Sequence, residues 1–305
     1  MHMILGRATI YFDEVARRGS IRRASEVLRI APSAVDRQIL KLEEHFGVAL
    51  FERTTRGLRM TTAGEMLAET VRRWRRDLKR VEAGIEDLIG LRQGEVSIAL
   101  IEGAAPLLKR GIAGFHEKYP GIAFRVEIGT TEMVTRLVIS GEYDVGLTAN
   151  APDSSELRVE RTLLYRLGLL LLPDHPLAGR SEISLVECAT LPLIVPNESN
   201  TLRDVIDEAW ARSVGGNLRH FIACNGINMV KSLVASGVGP GVVAALDAQD
   251  EVAAGQLAFV PFADRPAPLS ILSLVNASER TLSVTTSLFI NFMSALMQDQ
   301  DVPVI

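Results

Sequence analysis

The sequence is poor in the residues on which most active-site chemistry depends. Only two of its 305 residues are cysteines, Cys188 and Cys224. Lying far apart, they suit free thiols in a reducing cytosol better than a disulfide framework, with a redox-switch disulfide as the alternative. Aromatics make up 5% of the chain, too few for a surface that stacks single-stranded bases. No apolar run approaches the ~20 residues of a membrane span; the densest, 167–172, is short. The N-terminus lacks the basic-then-apolar pattern of a signal peptide. The five histidines, His2, His45, His116, His175 and His220, stand beside no nucleophile motif such as Gly-x-Ser-x-Gly, and no His/Cys cluster has zinc spacing. Gly237-Val238-Gly239-Pro240-Gly241 lacks the Gly-Lys-Ser/Thr of a phosphate loop, and Pro240 removes an amide such a loop would use. The expectation is therefore no catalytic centre, no metal, no cofactor and no membrane partner.

What the chain does have is an uneven charge. Residues 1–60 carry 11 Lys/Arg against 7 Asp/Glu, while the other 245 carry 22 against 30. A head of net +4 on a body of net −8 is the asymmetry expected when only the head meets phosphate. Within the head, residues 19–51 read as two short helices around a tight turn. Ser20 is a good N-cap for a helix over 21–28. Residues 29–32 break that helix, because the residue before a proline avoids helical angles and proline cannot continue a helix. A second helix starts around Ser33; Val35, Ile39, Leu42 and Phe46 give it one apolar stripe, and Gly47 stops it. A preceding helix over 9–17 turns Phe12, Val15 and Ala16 toward the pair. Periodicity alone fits a helix-turn-helix or an ordinary helical hairpin. The opposite face, with Ser33, Arg37, Gln38 and Lys41, and the neighbouring Arg22 and Arg23, favours the former. Alternation around Gly57 over 52–61 suggests a small wing carrying Arg53, Arg56 and Arg59, or else a solvated charged turn.

The segments Phe12-x-x-Val15-Ala16-x-x-Gly19-Ser20-x-x-x-Ala24, Pro32-Ser33-Ala34-Val35, Leu42-Glu43-x-x-x-Gly47-x-x-Leu50-Phe51-x-Arg53 and Thr61-Thr62-x-Gly64 together resemble the LysR-type transcriptional regulators. The match is dense over the first 65 residues. The resemblance implies an N-terminal winged helix-turn-helix over 1–65 that binds double-stranded promoter DNA, with Arg53 and Arg56 near the backbone or minor groove. The candidate DNA-contacting residues are Ser20, Arg22, Arg23, Pro32, Ser33, Asp36, Arg37, Gln38, Lys41, Arg53 and Arg56. Asp36 is a departure, since the family most often has Ser or Thr there. In the first turn of the recognition helix it could close a capping box with Ser33, or it could repel phosphate or accept from a cytosine amino group.

Thr62-Ala63-Gly64-Glu65 reads as a capping box opening a long helix over 62–92. Leu67, Val71, Trp74, Leu78, Val81, Ile85 and Leu88 recur at alternating steps of four and three, a heptad seam. A partner helix would bury this seam in a homodimer; packing on the chain's own head is the alternative. The run Arg72, Arg73, Arg75, Arg76, Lys79 and Arg80 reads as a solvated face, partly paired with Asp77, Glu82 and Glu86.

After a hinge at 92–94 the pattern changes to strands alternating with helices, which implies a parallel α/β sheet. Strands are expected over 96–101, 123–128, 145–148, 163–172, 193–195, 221–223, 241–243, 257–261 and 269–275, and helices over 106–119, 133–140, 201–213, 229–236 and 281–297. Gly94-Glu95-Val96, Gly141-Glu142-Tyr143-Asp144, Pro173-Asp174-His175-Pro176-Leu177 and Leu233-Val234-Ala235-Ser236-Gly237-Val238-Gly239 resemble the effector-binding half of the same family. The resemblance implies that 93–305 folds like a periplasmic solute-binding protein, with lobes over 93–162 with 267–305 and over 163–266, joined by two crossing strands. It also implies a homotetramer of two compact and two extended subunits, and contact with RNA polymerase. The overall fold class is α/β behind an all-α head.

Ligands of open α/β sheets bind at the carboxyl ends of strands. The loops there supply Glu102, Gly103, Ala104, Gly129, Thr130 and Thr148 from one lobe, and Asn197, Ser199, Asn200, Thr201, Asn225 and Asn228 from the other. The amides before the helix at 201 could receive a carboxylate. Each Ser, Thr or Asn could equally be a simple helix cap; their convergence on one edge points to a site. The resemblance implies effector contacts at Thr130, the first loop and Ser199 to Thr201. Family members often carry a hydroxyl in the first loop, where this chain has Glu102-Gly103-Ala104-Ala105. An acid there disfavours a purely anionic effector and favours a small polar or amphoteric one. A transport-associated solute-binding protein would need a signal peptide and no basic head, and a metabolic enzyme would need a catalytic constellation; the sequence offers neither. The reading is a cytoplasmic, effector-responsive transcription regulator.

Overall fold

The computed structural model describes residues 6–54, 57–88 and 94–298; for Arg53, Thr54, Arg76, Lys79, Arg80 and residues 82–88 it describes the backbone only. The chain divides into two compact units, Met1–Ile85 and Glu86–Ile305.

The first unit is built of α1 (Arg7–Arg18), α2 (Ile21–Leu28), α3 (Pro32–Phe46), the hairpin β1 (Phe51–Thr54) and β2 (Gly57–Met60), and α4 (Thr62–Leu88). Its punctuation follows local chemistry. Gly19 takes a left-handed φ of 61° and its N–H donates to Val15 O, ending α1. Ser20 Oγ then accepts from Arg23 N and starts α2. Gly47, at φ 69°, ends α3. Phe12, Val15, Ala24, Val35, Ile39, Leu50, Ala68 and Val71 are buried together as one core.

Three expectations for this unit are corrected. The recognition helix begins at Pro32 with Ala31 as an uncapped N-cap, and its first turn holds no acid. Proline at the first helical position fits there because its missing N–H is one the helix leaves unpaired anyway. Ser33 and Asp36 are thus both inside the helix and form no capping box. The cap of α4 is Thr61, whose Oγ1 accepts from Gly64 N at 3.1 Å, one residue earlier than the motif suggested. Arg75 is not part of a solvated face. It pairs with Asp13, which is buried in α1 and also faces Arg17.

The heptad pattern of α4 divides. Val71 is buried and Leu67 packs beside it in the head's own core. Trp74 and Val81 are 47% and 57% exposed. The side chains of Ile85 and Leu88 lie outside those described.

The second unit contains β3 (Gly94–Leu100), α5 (Ala105–Lys118), β4 (Ile122–Ile128), α6 (Thr131–Ile139), β5 (Val145–Ala149), β6 (Leu157–Leu171), α7 (Leu185–Cys188), β7 (Ile194–Pro196), α8 (Thr201–Ser213), β8 (Ile222–Cys224), α9 (Ile227–Ala235), β9 (Gly241–Ala244), α10 (Gln249–Ala253), β10 (Ala258–Pro261), β11 (Leu269–Ala277) and α11 (Val284–Gln298). The strands run in the order β4-β3-β5-β11-β6-β9-β7-β8, with β10 also on β6. β3 is parallel to β4 and β5, and β7 is parallel to β8 and β9. β11 and β6 run antiparallel to their neighbours, so the sheet is mixed rather than purely parallel.

β6 is 15 residues long. Its first part pairs with β11, and its second with β9 and β10, so one strand serves two lobes. The chain returns between β10 and β11 through non-strand residues, where two crossing strands were expected. Each lobe has its own core: Ile98, Leu100, Leu107, Phe115, Leu147, Leu274 and Phe289 in one, and Leu167, Leu169, Val195, Ile206, Trp210, Val242 and Phe262 in the other. Among the described residues no helix is long and apolar enough to cross a membrane.

Candidate nucleic-acid interface and ligand cleft

On α3 the apolar stripe does what its spacing predicts. Val35 and Ile39 are in the core, and Leu42 packs against it. The opposite face leaves Ser33, Arg37 and Lys41 exposed at four-residue steps, with Pro32 at its start and Gln38 half-buried beside them. Among the described residues Arg23, Arg37 and Lys41 form no ion pair, while Arg22 meets Glu26 at 3.5 Å on an open surface. Cations left in water without partners are available to phosphate. Asp36 is half-buried in the second turn of α3. Ser20 is engaged as the α2 cap. Of Arg53 only the backbone, within β1, is described, and Arg56 lies outside the described residues. Contacts that the sequence reading did not foresee hold this surface in place. Glu43 Oε1 accepts from Leu50 N and Phe51 N at 2.8 and 3.2 Å, clamping the C-terminal half of α3 to the start of the wing. Glu52 and Arg59 face each other across the hairpin.

Between the two lobes of the second unit lies a cavity of about 280 Å³. The N-termini of α6 and α8 meet there. Thr131 Oγ1 and Thr201 Oγ1 are 3.3 Å apart and both approach Ala149 O, at 3.0 and 3.5 Å. Thr130 caps α6 by accepting from Met133 N, and Asn200 caps α8 by accepting from Leu202 N. The Thr130 hydroxyl keeps its own proton to donate outward. Ser199 donates twice to Asn197 Oδ1, which fixes the loop before α8. Two helix N-termini facing one cavity favour an anionic group there.

Of the residues expected here, Glu102, Gly103, Gly129, Thr130, Ser199, Asn200, Thr201 and Asn225 line the cavity. Four do not. Ala104 and Thr148 are fully buried; Thr148 shares a strand face with Gly146, which packs on α6 through Val134 and Val138. Asn197 and Asn228 act from behind as supports. Thr131 and Gly226, from the same strand-end loops, line it as well, as do Ile227, Ala244, Leu246, Asp247, Ser270 and Leu272, which the sequence reading did not include.

Glu102 also has a different job from the one its charge suggested. Its Oε2 accepts from Ile227 N at 2.6 Å and its Oε1 from Asn228 Nδ2 at 2.7 Å. The N-cap of α9 is Gly226, which has no side chain to satisfy the first amides. Glu102 supplies that acceptor from the other lobe. Asp247, at the end of β9, is buried; its Oδ2 accepts from Ala244 N at 2.9 Å. A β-carbon at Gly103 would overlap Asp247 Oδ1, so the glycine makes room for this carboxylate. Burial pushes the Asp247 carboxyl up to about 6; the Ala244 amide and Lys231 oppose the rise, and Glu102 and Glu251 add to it.

Cys188 is buried and its thiol is pushed up to about 12 by desolvation. Burial also raises Cys224, with Glu102 adding to the rise. Neither has the lowered pKa of a reactive thiolate. Among the described residues no group of three or more His, Cys, Asp or Glu could hold a metal ion.

Two family models together cover most of the chain. Residues 7–65 match the bacterial regulatory helix-turn-helix protein of the lysR family, and residues 90–298 match the LysR substrate binding domain. The chain belongs to the LysR-type transcriptional regulators. It is 30% identical to a RuBisCO operon transcriptional regulator of Allochromatium vinosum over 80% of each chain. Its fold is shared by full-length CbnR complexed with target DNA, with TM-score 0.68, 19% identity and coverage of 95% of this chain and 99% of that one. It is shared too by the CcmR regulatory domain of Synechocystis PCC6803 in complex with 2-PG, with TM-score 0.60, 22% identity and coverage of 68% and 99%. As a LysR-type regulator the chain pairs a DNA-binding head with an effector-binding α/β half.

Proposed function

We propose that this LysR-type regulator reads duplex promoter DNA with the exposed face of α3, and that a small polar effector bound between the lobes of 93–305 alters that reading. Ser33, Arg37, Gln38 and Lys41 are the base- and phosphate-facing set, Arg22, Arg23, Arg53 and Arg56 are flanking cations, and Pro32 and Ser20 fix the geometry. With its capping role removed, Asp36 is left to discriminate between bases, as an acceptor for a cytosine amino group. The observation that carries this reading is the division of α3 into a core face and a solvent face whose cations lack partners among the described residues. The head is 1–65, the linker 62–92 and the effector-binding half 93–305, with lobes 93–162 plus 267–305 and 163–266. Trp74 and Val81 are the exposed part of a seam that pairs two copies, giving a homodimer and, through it, a homotetramer. The protein works in the cytoplasm, has no catalytic activity of its own, and meets RNA polymerase at the promoter.

The test is fluorescence anisotropy with a duplex taken from upstream of the protein's own gene. Arg37→Ala should weaken binding. Thr201→Arg fills the cavity and should leave DNA affinity intact while abolishing any change that a pool of polar metabolites causes in the native chain. A Thr201→Arg variant that still responds would contradict the cavity assignment.

A further inference from the structure

Besides the α6 and α8 N-termini, the cavity wall carries two polar side chains whose hydrogen-bonding capacity is unspent. Ser270, on β11, is 6% exposed, lines the cavity, and its hydroxyl has no hydrogen-bond partner among the described residues. Asp247 is equally buried and also lines the cavity. One of its oxygens is taken by Ala244 N, while the other lies against Gly103 with no donor among the described residues. That oxygen keeps its accepting capacity for a donor that enters the cavity. Glu102, the other acid of the cavity wall, has both oxygens occupied by α9 and is not available.

We infer that Asp247, with Ser270 lining the same cavity, selects an effector that carries a hydroxyl or ammonium group as well as an acid: the acid lies at the α6 and α8 N-termini and the donor fills the unpaired oxygen of Asp247. This rests on the reading of the cavity as the effector site. Parent acids lacking the donor leave Asp247 unsatisfied and bind weakly.

Calorimetry on the full chain tests it with matched probes: propionate, lactate and alanine; butyrate, 3-hydroxybutyrate and 4-aminobutyrate; succinate, malate and aspartate. In at least one set the hydroxy or amino member should bind ten times or more tighter than its parent. Asp247→Ala should bring that ratio below about twofold, whereas loss of a merely structural role would weaken the parent and its hydroxy or amino partner alike and leave the ratio unchanged. Asp247→Asn keeps an acceptor, is the less disruptive change, and should retain the hydroxy preference but lose any amino preference. Equal binding within every set, or an unchanged ratio in both variants, overturns the inference and leaves the cavity as a ligand site. Binding by no probe overturns the inference alone, because the cavity assignment is decided separately by Thr201→Arg.

Discussion

The head and the α/β half handle charge in opposite ways. On α3 the functional cations stand in water, backed by a core that needs none of them. In the cleft the acids are half or wholly withdrawn from water, and the fold answers them with amides, as α9 does for half-buried Glu102 and Ala244 does for buried Asp247. A surface site of the first kind separates from stability. A buried site of the second kind is part of it.

Substitutions sharpen this contrast. The largest effect belongs to the support behind the surface. Phe12 is fully buried in the head's core, and Phe12→Ala should cost about 3–5 kcal/mol of stability, seen as an early thermal transition together with loss of DNA binding. Next, Arg37→Ala should cost about 1–3 kcal/mol of binding to promoter DNA with a melting curve superimposable on that of the native chain, since exposed positions shift stability by no more than about 0.5 kcal/mol.

In the cleft, binding and stability should move together. The folded-state pKa of Asp247, about 6, lies above its ordinary value of 3.8. The folded chain therefore holds that proton more tightly than the unfolded chain. Its contribution is fully favourable below pH 4, falls as pH rises from 4 to 6, and is flat above. Asp247→Asn removes this slope. Denaturant titrations should show the variant gaining on the native chain by about 2–3 kcal/mol between pH 4 and pH 7.5. Glu102→Ala strips the α9 N-terminus of its acceptor and should cost about 1–2 kcal/mol; faster hydrogen exchange at Ile227 would report it directly. The smallest change is Arg22→Ala, which breaks only the exposed pair with Glu26 and should shift stability by no more than about 0.5 kcal/mol.

The same contrast explains what could be read from the sequence. α3 was legible because its function follows one helical period: Val35 and Ile39 on one side fix Arg37 and Lys41 on the other. Ser20 and Gly47 were legible because caps are local. The strand-end rule found the α6 and α8 loops for the same reason. The rest depends on partners distant in the chain. Asp13 meets Arg75, Glu102 meets Ile227, and Asp247 fits against Gly103; no local pattern pairs them. Asp247 did leave a trace. It is a lone acid following the apolar run Val242-Val243-Ala244-Ala245-Leu246, at the carboxyl end of β9, where the rule applied to the other strands would have found it. The α4 seam was ambiguous because two apolar positions per heptad describe a coiled coil and also a helix with one end laid on its own head. Leu67 and Val71 take the second course.

The most direct measurement is the salt dependence of promoter binding by the full chain, native against Arg37→Ala/Lys41→Ala. If the exposed face of α3 grips duplex phosphate, the log–log slope should be steep in the native chain and fall by about two in the double variant. An unchanged slope with unchanged affinity would mean that some other surface holds the DNA.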